Sequence, residues 1–296
     1  MNYIDIKDMK MSEIILGTDG YSQRIDKETA YALMDLYIEQ GGNVFDTARL
    51  YCGGGSEKLI GEYIREKNCR DKVYISTKCS HPPLGNMTQS RLDKNDIEYD
   101  VNLSLEALGV EYIDLLWLHR DDESKDAGPI IEALNDLIKS GKIRHFGASN
   151  WTHDRITEAN IYAEKNGLEG FCASQILYNM ATCSTIWDNT LVVLQGEEKE
   201  KYNAKPFPVF AFCSQAKGFF EKYASNSLSE KSAHRYLNDE TVKTFHEIKK
   251  RSDETGNTIS HTALQMLIEQ SGFDVLPIIG PSNTEQLKST LNIEQN

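Results

Sequence analysis

The segment VFDTARLYCGGGSEKLIGEYIR, residues Val44–Arg65, decides between the folds open to this chain. It begins with a short apolar run, Val44–Asp46, which predicts a buried parallel strand. Ser56 can cap a helix that continues to about Arg65. The three glycines Gly53–Gly55 between them do not have the G-x-G-x-x-G spacing that follows a strand in dinucleotide-binding doubly wound sheets. The segment therefore predicts a strand and a helix without that phosphate-binding turn.

The same alternation of a short apolar run and a longer helix-patterned segment recurs along the chain. Eight such units in 296 residues predict an α/β fold, a (β/α)8 TIM barrel that forms a single domain over residues 1–296. An open doubly wound sheet is the alternative, and the missing glycine fingerprint favours the barrel. The predicted strands are Ile14–Gly17, Val44–Asp46, Val73–Thr77, Ile113–Leu118, Ile143–Ala148, Cys172–Gln175, Val209–Phe212 and Val275–Ile279.

Amphipathic segments separate these strands. Asp26 and Thr152 can each cap a helix, the first running to about Gln40 and the second to Asn166. The sixth unit has no placed helix, because Met180–Pro206 mixes polar residues with one apolar patch. Helical spacing also covers Leu92–Leu108, Ile130–Ile138, Thr241–Arg251 and Ile259–Ile268.

Composition excludes several classes of function. Acidic residues outnumber basic ones by 45 to 32, so the formal net charge is −13 and a general attraction to nucleic acid or to an anionic membrane is not expected. The six cysteines have neither zinc-site nor disulfide-framework spacing. No apolar run approaches the roughly 18 residues of a membrane span, and the first residues do not read as a signal peptide. We therefore expect reduced cysteines, a cytoplasmic protein and no metal site.

Polar residues stand where the predicted strands end. Asp46, Lys78 and His119 close the second, third and fourth strands, and Tyr51 follows Asp46 by five residues. Singly, each has an ordinary structural explanation: a turn cap, a solvated lysine, a core histidine and a packing tyrosine. Because the carboxyl ends of barrel strands meet at one rim, the joint placement favours a functional site there. The stem of Lys78 would be buried, and its ammonium then needs a partner, for which Asp46 is the candidate.

The chain resembles the aldo-keto reductase family in an ordered set of motifs. FDTARLYCGGGSEKLIG at Phe45–Gly61 is similar to the family's D-T-A-x-x-Y-x-x-G-x-S-E-x-x-I-G segment. The resemblance extends from Ile14 to about Leu287. The other matching segments are VYISTK at Val73–Lys78, IDLLWLHRDD at Ile113–Asp122, GKIRHFGASN at Gly141–Asn150, SQILYN at Ser174–Asn179 and IIGPSNTEQL at Ile278–Leu287.

The resemblance implies a catalytic tetrad of Asp46, Tyr51, Lys78 and His119. Tyr51 would protonate the carbonyl oxygen while a nicotinamide cofactor delivers hydride, and alcohol oxidation would be the reverse. A free tyrosine has a pKa of about 10, which the neighbouring Lys78 ammonium would lower. Asp46 would keep Lys78 in place and charged, and His119 would orient and polarise the carbonyl oxygen.

The resemblance also implies a set of cofactor contacts. Gly17, Thr18 and Asp46 would line the nicotinamide ribose, and Phe212 would stack on the nicotinamide ring where the family usually has Tyr or Trp. Ser149, Asn150 and Gln175 would hold the carboxamide, Cys213, Ser214, Gln215 and Lys217 would follow the pyrophosphate, and Gly280, Ser282 and Gln286 would form the adenosine phosphate site.

Two departures leave the cofactor open. FCSQAKGFF at Phe212–Phe220 replaces the common Y-S-P-L loop, and Gly280-Pro281-Ser282 with Gln286 replaces the Lys and Arg that often hold a 2′-phosphate. NADP(H) is favoured, since similar segments occur in NADPH-binding relatives, and NAD(H) is not excluded.

Two other functions stay open beside the reductase. One is a cofactor-bearing regulatory module like the potassium-channel β subunits, which lack the histidine. The other is an unrelated barrel hydrolase or isomerase, which would need a metal cluster or a carboxylate pair at the rim.

The expected partner is a small carbonyl or alcohol substrate, with neither nucleic acid nor membrane, and the oligomeric state is not predicted. Trp151, Trp187 and Tyr178 are candidates for the pocket lining, and we expect an open site that accepts several aldehydes, since the chain ends soon after the last predicted helix.

Overall fold

A closed barrel of eight parallel strands forms the centre of the computed structural model, which describes residues 1–293. The last three residues of the predicted domain, 294–296, lie outside the described residues. The barrel fold predicted from the sequence is confirmed. The strands are β3 (Ile15–Gly17), β4 (Val44–Asp46), β5 (Tyr74–Cys79), β6 (Ile113–Leu118), β7 (Ile143–Ser149), β8 (Ser174–Leu177), β9 (Val209–Phe212) and β10 (Val275–Ile279), and β10 closes the ring against β3.

Helices surround this barrel and follow its strands. The principal helices are α1 (Lys27–Glu39), α2 (Gly55–Lys67), α3 (Lys94–Leu108), α4 (Ala127–Lys139), α5 (His153–Lys165), α6 (Glu197–Ala204), α9 (Asp239–Thr255), α10 (Ile259–Glu269) and α11 (Thr284–Leu291). Two short helices, α7 (Phe219–Ala224) and α8 (Glu230–Tyr236), lie between β9 and α9 and were not predicted. The unplaced sixth helix is α6, and residues 178–196 before it form a long loop.

Helix caps show where local sequence decided the boundaries. The side chain of Asp26 accepts a hydrogen bond from the backbone of Thr29, and that of Thr152 accepts one from Arg155, so both predicted caps are confirmed. The predicted cap at Ser56 is wrong, because α2 begins at Gly55 with Gly54 as its N-cap at φ +90°. A glycine tolerates this left-handed backbone without steric cost.

An antiparallel hairpin at the start of the chain closes the amino-terminal end of the barrel. Its strands are β1 (Tyr3–Ile6) and β2 (Met9–Ser12), which the sequence analysis did not predict. Ile6, Met9 and Met11 are buried in one cluster with barrel-interior residues that include Leu115 and Trp117. A second and larger apolar layer packs between the strands and the helices. The opposite end of the barrel, where the strands finish, carries the polar residues.

Candidate active site

The centre of the polar rim is an ion pair between Asp46 and Lys78. The Lys78 ammonium donates to Asp46 Oδ2 at 2.6 Å and to the backbone carbonyl of Thr47 at 2.8 Å. Both side chains are almost fully buried, as the sequence analysis predicted for the lysine stem. Burial opposes the positive charge, but the nearby Asp46 carboxylate outweighs it and raises the pKa of Lys78 above its ordinary value. Lys78 is therefore a fixed, permanently charged ammonium.

The second oxygen of Asp46 is also occupied. Asp46 Oδ1 accepts hydrogen bonds from Ser76 Oγ at 3.0 Å and from Gln175 Nε2 at 2.9 Å. These donors come from β5 and β8, on either side of the barrel interior, so the carboxylate cannot rotate without breaking contacts on two strands. Gln175 was expected to hold a carboxamide, and in this structure its amide contacts the acidic member of the ion pair.

Tyr51 lies directly above the ion pair. It begins a short 3-10 helix, Tyr51–Gly54, that joins β4 to α2. The Lys78 Nζ is 4.8 Å from the centroid of the Tyr51 ring. Burial raises the pKa of Tyr51 above its ordinary value of 10.0, and the lowering effect of the Lys78 ammonium, expected from the sequence, is the smaller of the two. The direction expected for that pKa is thus corrected: Tyr51 keeps its proton more firmly than a free tyrosine does.

His119 stands beside Tyr51 at the end of β6. The two rings are nearly perpendicular, with centroids 6.0 Å apart. Burial, followed by the positive charges of Lys78 and Arg120, holds the pKa of His119 well below 6.5, so the imidazole is neutral near neutral pH. Its Nδ1 is buried and has no hydrogen-bond partner among the described residues. A buried imidazole nitrogen without a partner is costly, which marks His119 as a group kept for something other than packing.

The residues expected to hold the carboxamide lie on the same rim. Ser149 ends β7 and Asn150 follows it in the left-handed region at φ +59°. Asn150 donates to the His119 carbonyl at 3.3 Å and to Ser149 Oγ at 3.1 Å, and it accepts from the backbone of Val192. Ser149, Asn150 and Gln175 are therefore next to the tetrad, and Asn150 also ties the 178–196 loop to the rim.

The loop after β9 carries the residues expected along a pyrophosphate. Phe212 is half-buried at the top of the barrel interior. Ser214 is buried and donates to the Ile278 carbonyl at 2.7 Å, whereas Gln215 donates weakly to Ser260 and Thr290. Both side chains thus contact neighbouring structure. Cys213, Ala216 and Lys217 adopt φ values of 52°, 47° and 56°.

Lys217 has an unusual environment. Its Nζ is 5.5 Å from the centroid of the Trp187 ring, on the 178–196 loop. Within residues 1–293 it has no carboxylate at ion-pair distance. Arg235 also packs on Trp187, with its guanidinium carbon 4.0 Å from the ring centroid. The loop after β9 therefore presents a cation that forms no ion pair with the described acidic residues.

The remaining predicted contacts lie at the ends of β3 and β10. Thr18 is buried and donates to the Asp46 carbonyl at 2.9 Å, and a methyl carbon at Gly17 would be 2.8 Å from Ile278 Cγ2. Gly280 and Ser282 follow β10, and the Ser282 N–H donates to Gln286 Oε1 at 2.8 Å. These last residues stand at the amino terminus of α11 and are exposed.

Several rim residues were not singled out from the sequence. Arg120 donates to Thr190 Oγ1 at 2.8 Å and to Asp188 at 3.3 Å, and the His81 ring packs 4.7 Å from that of His119. Arg120 and His81 follow strand ends, a position that could have identified them.

Of the three suggested pocket residues, Trp151 and Tyr178 are buried core residues and Trp187 alone is 36% exposed.

Residues 1–293 contain no metal cluster, no membrane-spanning helix and no disulfide. No group of three or more His, Cys, Asp or Glu side chains in this range could hold a metal ion. No helix in it is long and apolar enough to cross a membrane. All six cysteines fall within it and all are free thiols.

The fold and the rim together define a (β/α)8-barrel protein with an acid–base cluster at the carboxyl ends of its strands. A model of the Aldo/keto reductase family matches residues 13–296, and the chain belongs to that family.

Several reductases and dehydrogenases are similar to parts of the chain. Norsolorinic acid reductase B of Dothistroma septosporum is 33% identical over 190 residues, 58% of this chain and 47% of the relative. Norsolorinic acid reductase stcV of Emericella nidulans is 26% identical over 298 residues, 96% of this chain and 74% of the relative. Aryl-alcohol dehydrogenase GME11368 of Pestalotiopsis microspora is 35% identical over 158 residues, 52% and 41% respectively. The matches thus span from 41% to 74% of these relatives' own length.

Proposed function

We propose that this protein reduces aldehydes and ketones with NADP(H) and oxidises the corresponding alcohols in reverse. The observation that carries the proposal is the position of Tyr51 over the buried Lys78–Asp46 pair, beside a neutral His119. A proton donor, a fixed cation and a neutral hydrogen-bonding group at one rim are what the protonation of a carbonyl oxygen requires. Names of relatives, a norsolorinic acid reductase and an aryl-alcohol dehydrogenase, support aromatic carbonyl compounds as substrates.

The chemistry of the rim fits a nicotinamide dinucleotide. The loop after β9 places left-handed backbone at Cys213, Ala216 and Lys217, close to the rim on which the tetrad lies. Lys217, which has no carboxylate at ion-pair distance within residues 1–293, would supply positive charge for a pyrophosphate, and Phe212 would offer its half-buried ring to the nicotinamide. Ser282 and Gln286, at the amino terminus of α11, would contact the adenosine phosphate. When bound, the cofactor supplies the hydride that reduces the carbonyl carbon.

The chain's own residues then have separate tasks. Tyr51 donates its hydroxyl proton to the carbonyl oxygen, and Lys78 stabilises the tyrosinate that remains. Asp46 holds Lys78 in position. His119, because it is neutral, donates a hydrogen bond to the carbonyl oxygen without adding a second positive charge beside Lys78. The proposal includes a preference for NADP(H) over NAD(H) and a cytoplasmic location.

The test is the oxidation of NADPH and of NADH, followed by nicotinamide absorbance, with benzaldehyde and several substituted benzaldehydes. We expect turnover with several of these aldehydes and a higher kcat/KM with NADPH. Tight cofactor binding without turnover on any carbonyl compound would favour the regulatory module. Failure to bind either cofactor would contradict the proposal, and strict selectivity for one large ligand would contradict the open site.

The pH dependence of reduction is a second expected result. The raised pKa of Tyr51 keeps the donor protonated across neutral pH, and the lowered pKa of His119 keeps that ring neutral. Because the reduction needs protonated Tyr51, its kcat should be flat from about pH 6 to about pH 9 and fall only at higher pH. The measurement is kcat with saturating NADPH at closely spaced pH values. A decrease below a midpoint near pH 6.5 that His119→Gln removes would show that His119 titrates in this range.

A further inference from the structure

Ser76 links the catalytic ion pair to the barrel interior. Its Oγ is fully buried, accepts a hydrogen bond from Trp117 Nε1 at 2.7 Å and lies 3.0 Å from Asp46 Oδ1. An indole N–H can only donate, and an ionised carboxylate can only accept. The Ser76 hydroxyl must therefore accept from Trp117 and donate to Asp46. The direction of every hydrogen bond from Trp117 to Lys78 is fixed by the chemistry of these groups.

Trp117 is the immobile end of this chain of hydrogen bonds. It is fully buried on β6, pairs in register with Lys78 on β5, and packs against Phe210 with ring centroids 4.8 Å apart. A methyl carbon at Gly147 on β7 would be only 2.3 Å from the Trp117 ring. The glycine thus leaves the space that the indole fills. Because interiors are close-packed, the indole has no room to turn away from Ser76.

We propose that Ser76 is a positioning residue that sets the acid strength of Tyr51 through Asp46 and Lys78. This inference rests on the proposed function of Tyr51 as proton donor. Without the Ser76 hydroxyl, Asp46 loses one of its two Oδ1 donors, and its negative charge is less shared. The more concentrated charge on Asp46 then attracts the Lys78 ammonium more strongly, and the carboxylate itself is less fixed in its orientation. Lys78 stabilises the tyrosinate less, and the pKa of Tyr51 rises.

The effect is measurable in the oxidation direction, where Tyr51 must accept a proton. For Ser76→Ala we expect the midpoint of the pH profile of alcohol oxidation to move upward by about half a unit to one unit, a roughly three- to tenfold loss of rate on the ascending limb. The KM for the cofactor should stay within a factor of about two, since the hydroxyl that is removed forms its hydrogen bonds with Trp117 and Asp46. Ser76→Thr keeps the hydroxyl and should restore the wild-type midpoint.

Ser174→Ala is the matched control. Ser174 is equally buried on β8, and its hydroxyl accepts a hydrogen bond from Tyr202 at 2.8 Å. The same atom is removed from the same kind of position, so any general weakening of the barrel should appear in both variants. A merely structural loss lowers the rate at every pH and leaves the midpoint in place. An unmoved midpoint in Ser76→Ala, or an equal shift in Ser174→Ala, would overturn the proposal.

A readout without turnover separates this inference from the proposed activity. Tyrosines labelled with 13C at Cζ titrate visibly by NMR, and the Tyr51 resonance is identified by its loss in Tyr51→Phe. We expect this resonance to titrate at higher pH in Ser76→Ala than in wild type and Ser174→Ala. If wild type reduces no carbonyl compound but the resonance still moves, the activity is wrong and the positioning is right. If wild type is active and neither resonance nor midpoint moves, only the positioning is wrong.

Discussion

Tyr51→Phe should reduce kcat for aldehyde reduction by about a hundred- to ten-thousandfold, the range that a positioned general acid contributes. The substitution removes the hydroxyl and keeps the ring. The ring contacts Lys78 and His119, so their positions should be preserved. Cofactor binding, measured by quenching of protein fluorescence, should change by less than a factor of about two, because only the chemical step loses its proton donor.

Tyr63→Phe is the control for that experiment. Tyr63 is buried on α2, and its hydroxyl donates to Asp35 at 2.8 Å outside the barrel. The control loses a tyrosine hydroxyl and a hydrogen bond, yet its kcat should match that of wild type. A Tyr51→Phe enzyme with more than about a tenth of wild-type kcat would show that another group, or water, delivers the proton.

Lys78→Met should inactivate the enzyme and also lower its free energy of unfolding by about 3–5 kcal/mol, the usual cost of removing one partner from a buried ion pair. Asp46 would be left buried with a charge that Ser76 and Gln175 alone must stabilise. The measurement is unfolding in guanidinium chloride, with kcat determined on the same preparations.

The double variant Asp46→Asn with Lys78→Met separates stability from chemistry. The asparagine keeps an oxygen for Ser76 and Gln175 and removes the unpaired charge, so most of the lost stability should return, as it does when both members of buried pairs are replaced. Activity should stay absent. Recovery of activity with stability would contradict a catalytic role for Lys78. An unchanged stability in the single variant would contradict the burial of the pair.

The fold could be predicted because each strand is a compact apolar run. In a closed parallel barrel the strands are covered on both faces, so runs such as Val209–Phe212 are apolar throughout and stand out from helical segments. The β1–β2 hairpin was missed although its apolar residues alternate with polar ones from Ile4 to Met11. That alternation was short and lay outside the repeating pattern of strand and helix.

The tetrad residues could be placed at one rim, since strand ends determine where side chains meet. Their electrostatics could not be predicted in the same way. The expectation for the pKa of Tyr51 considered Lys78 but not the burial of the hydroxyl, and burial is a property of the whole rim rather than of two neighbours. Ser56 shows the same limit. Its position before a helical segment is typical of an N-cap, but its hydroxyl forms tertiary hydrogen bonds to Thr18 and Thr47 across the βα junction.

Because the β1–β2 hairpin closes the amino-terminal end of the barrel, the rim at the carboxyl ends of the strands is left for binding reactants. Substitutions of Ile6, Met9 or Met11 would not contact a substrate bound at the rim. Substitutions in the rim loops would likewise not contact the hairpin. Substitutions in the rim loops can therefore change which reactants bind, and substitutions in the hairpin can change thermal stability, because the two sets of residues lie at opposite ends of the strands.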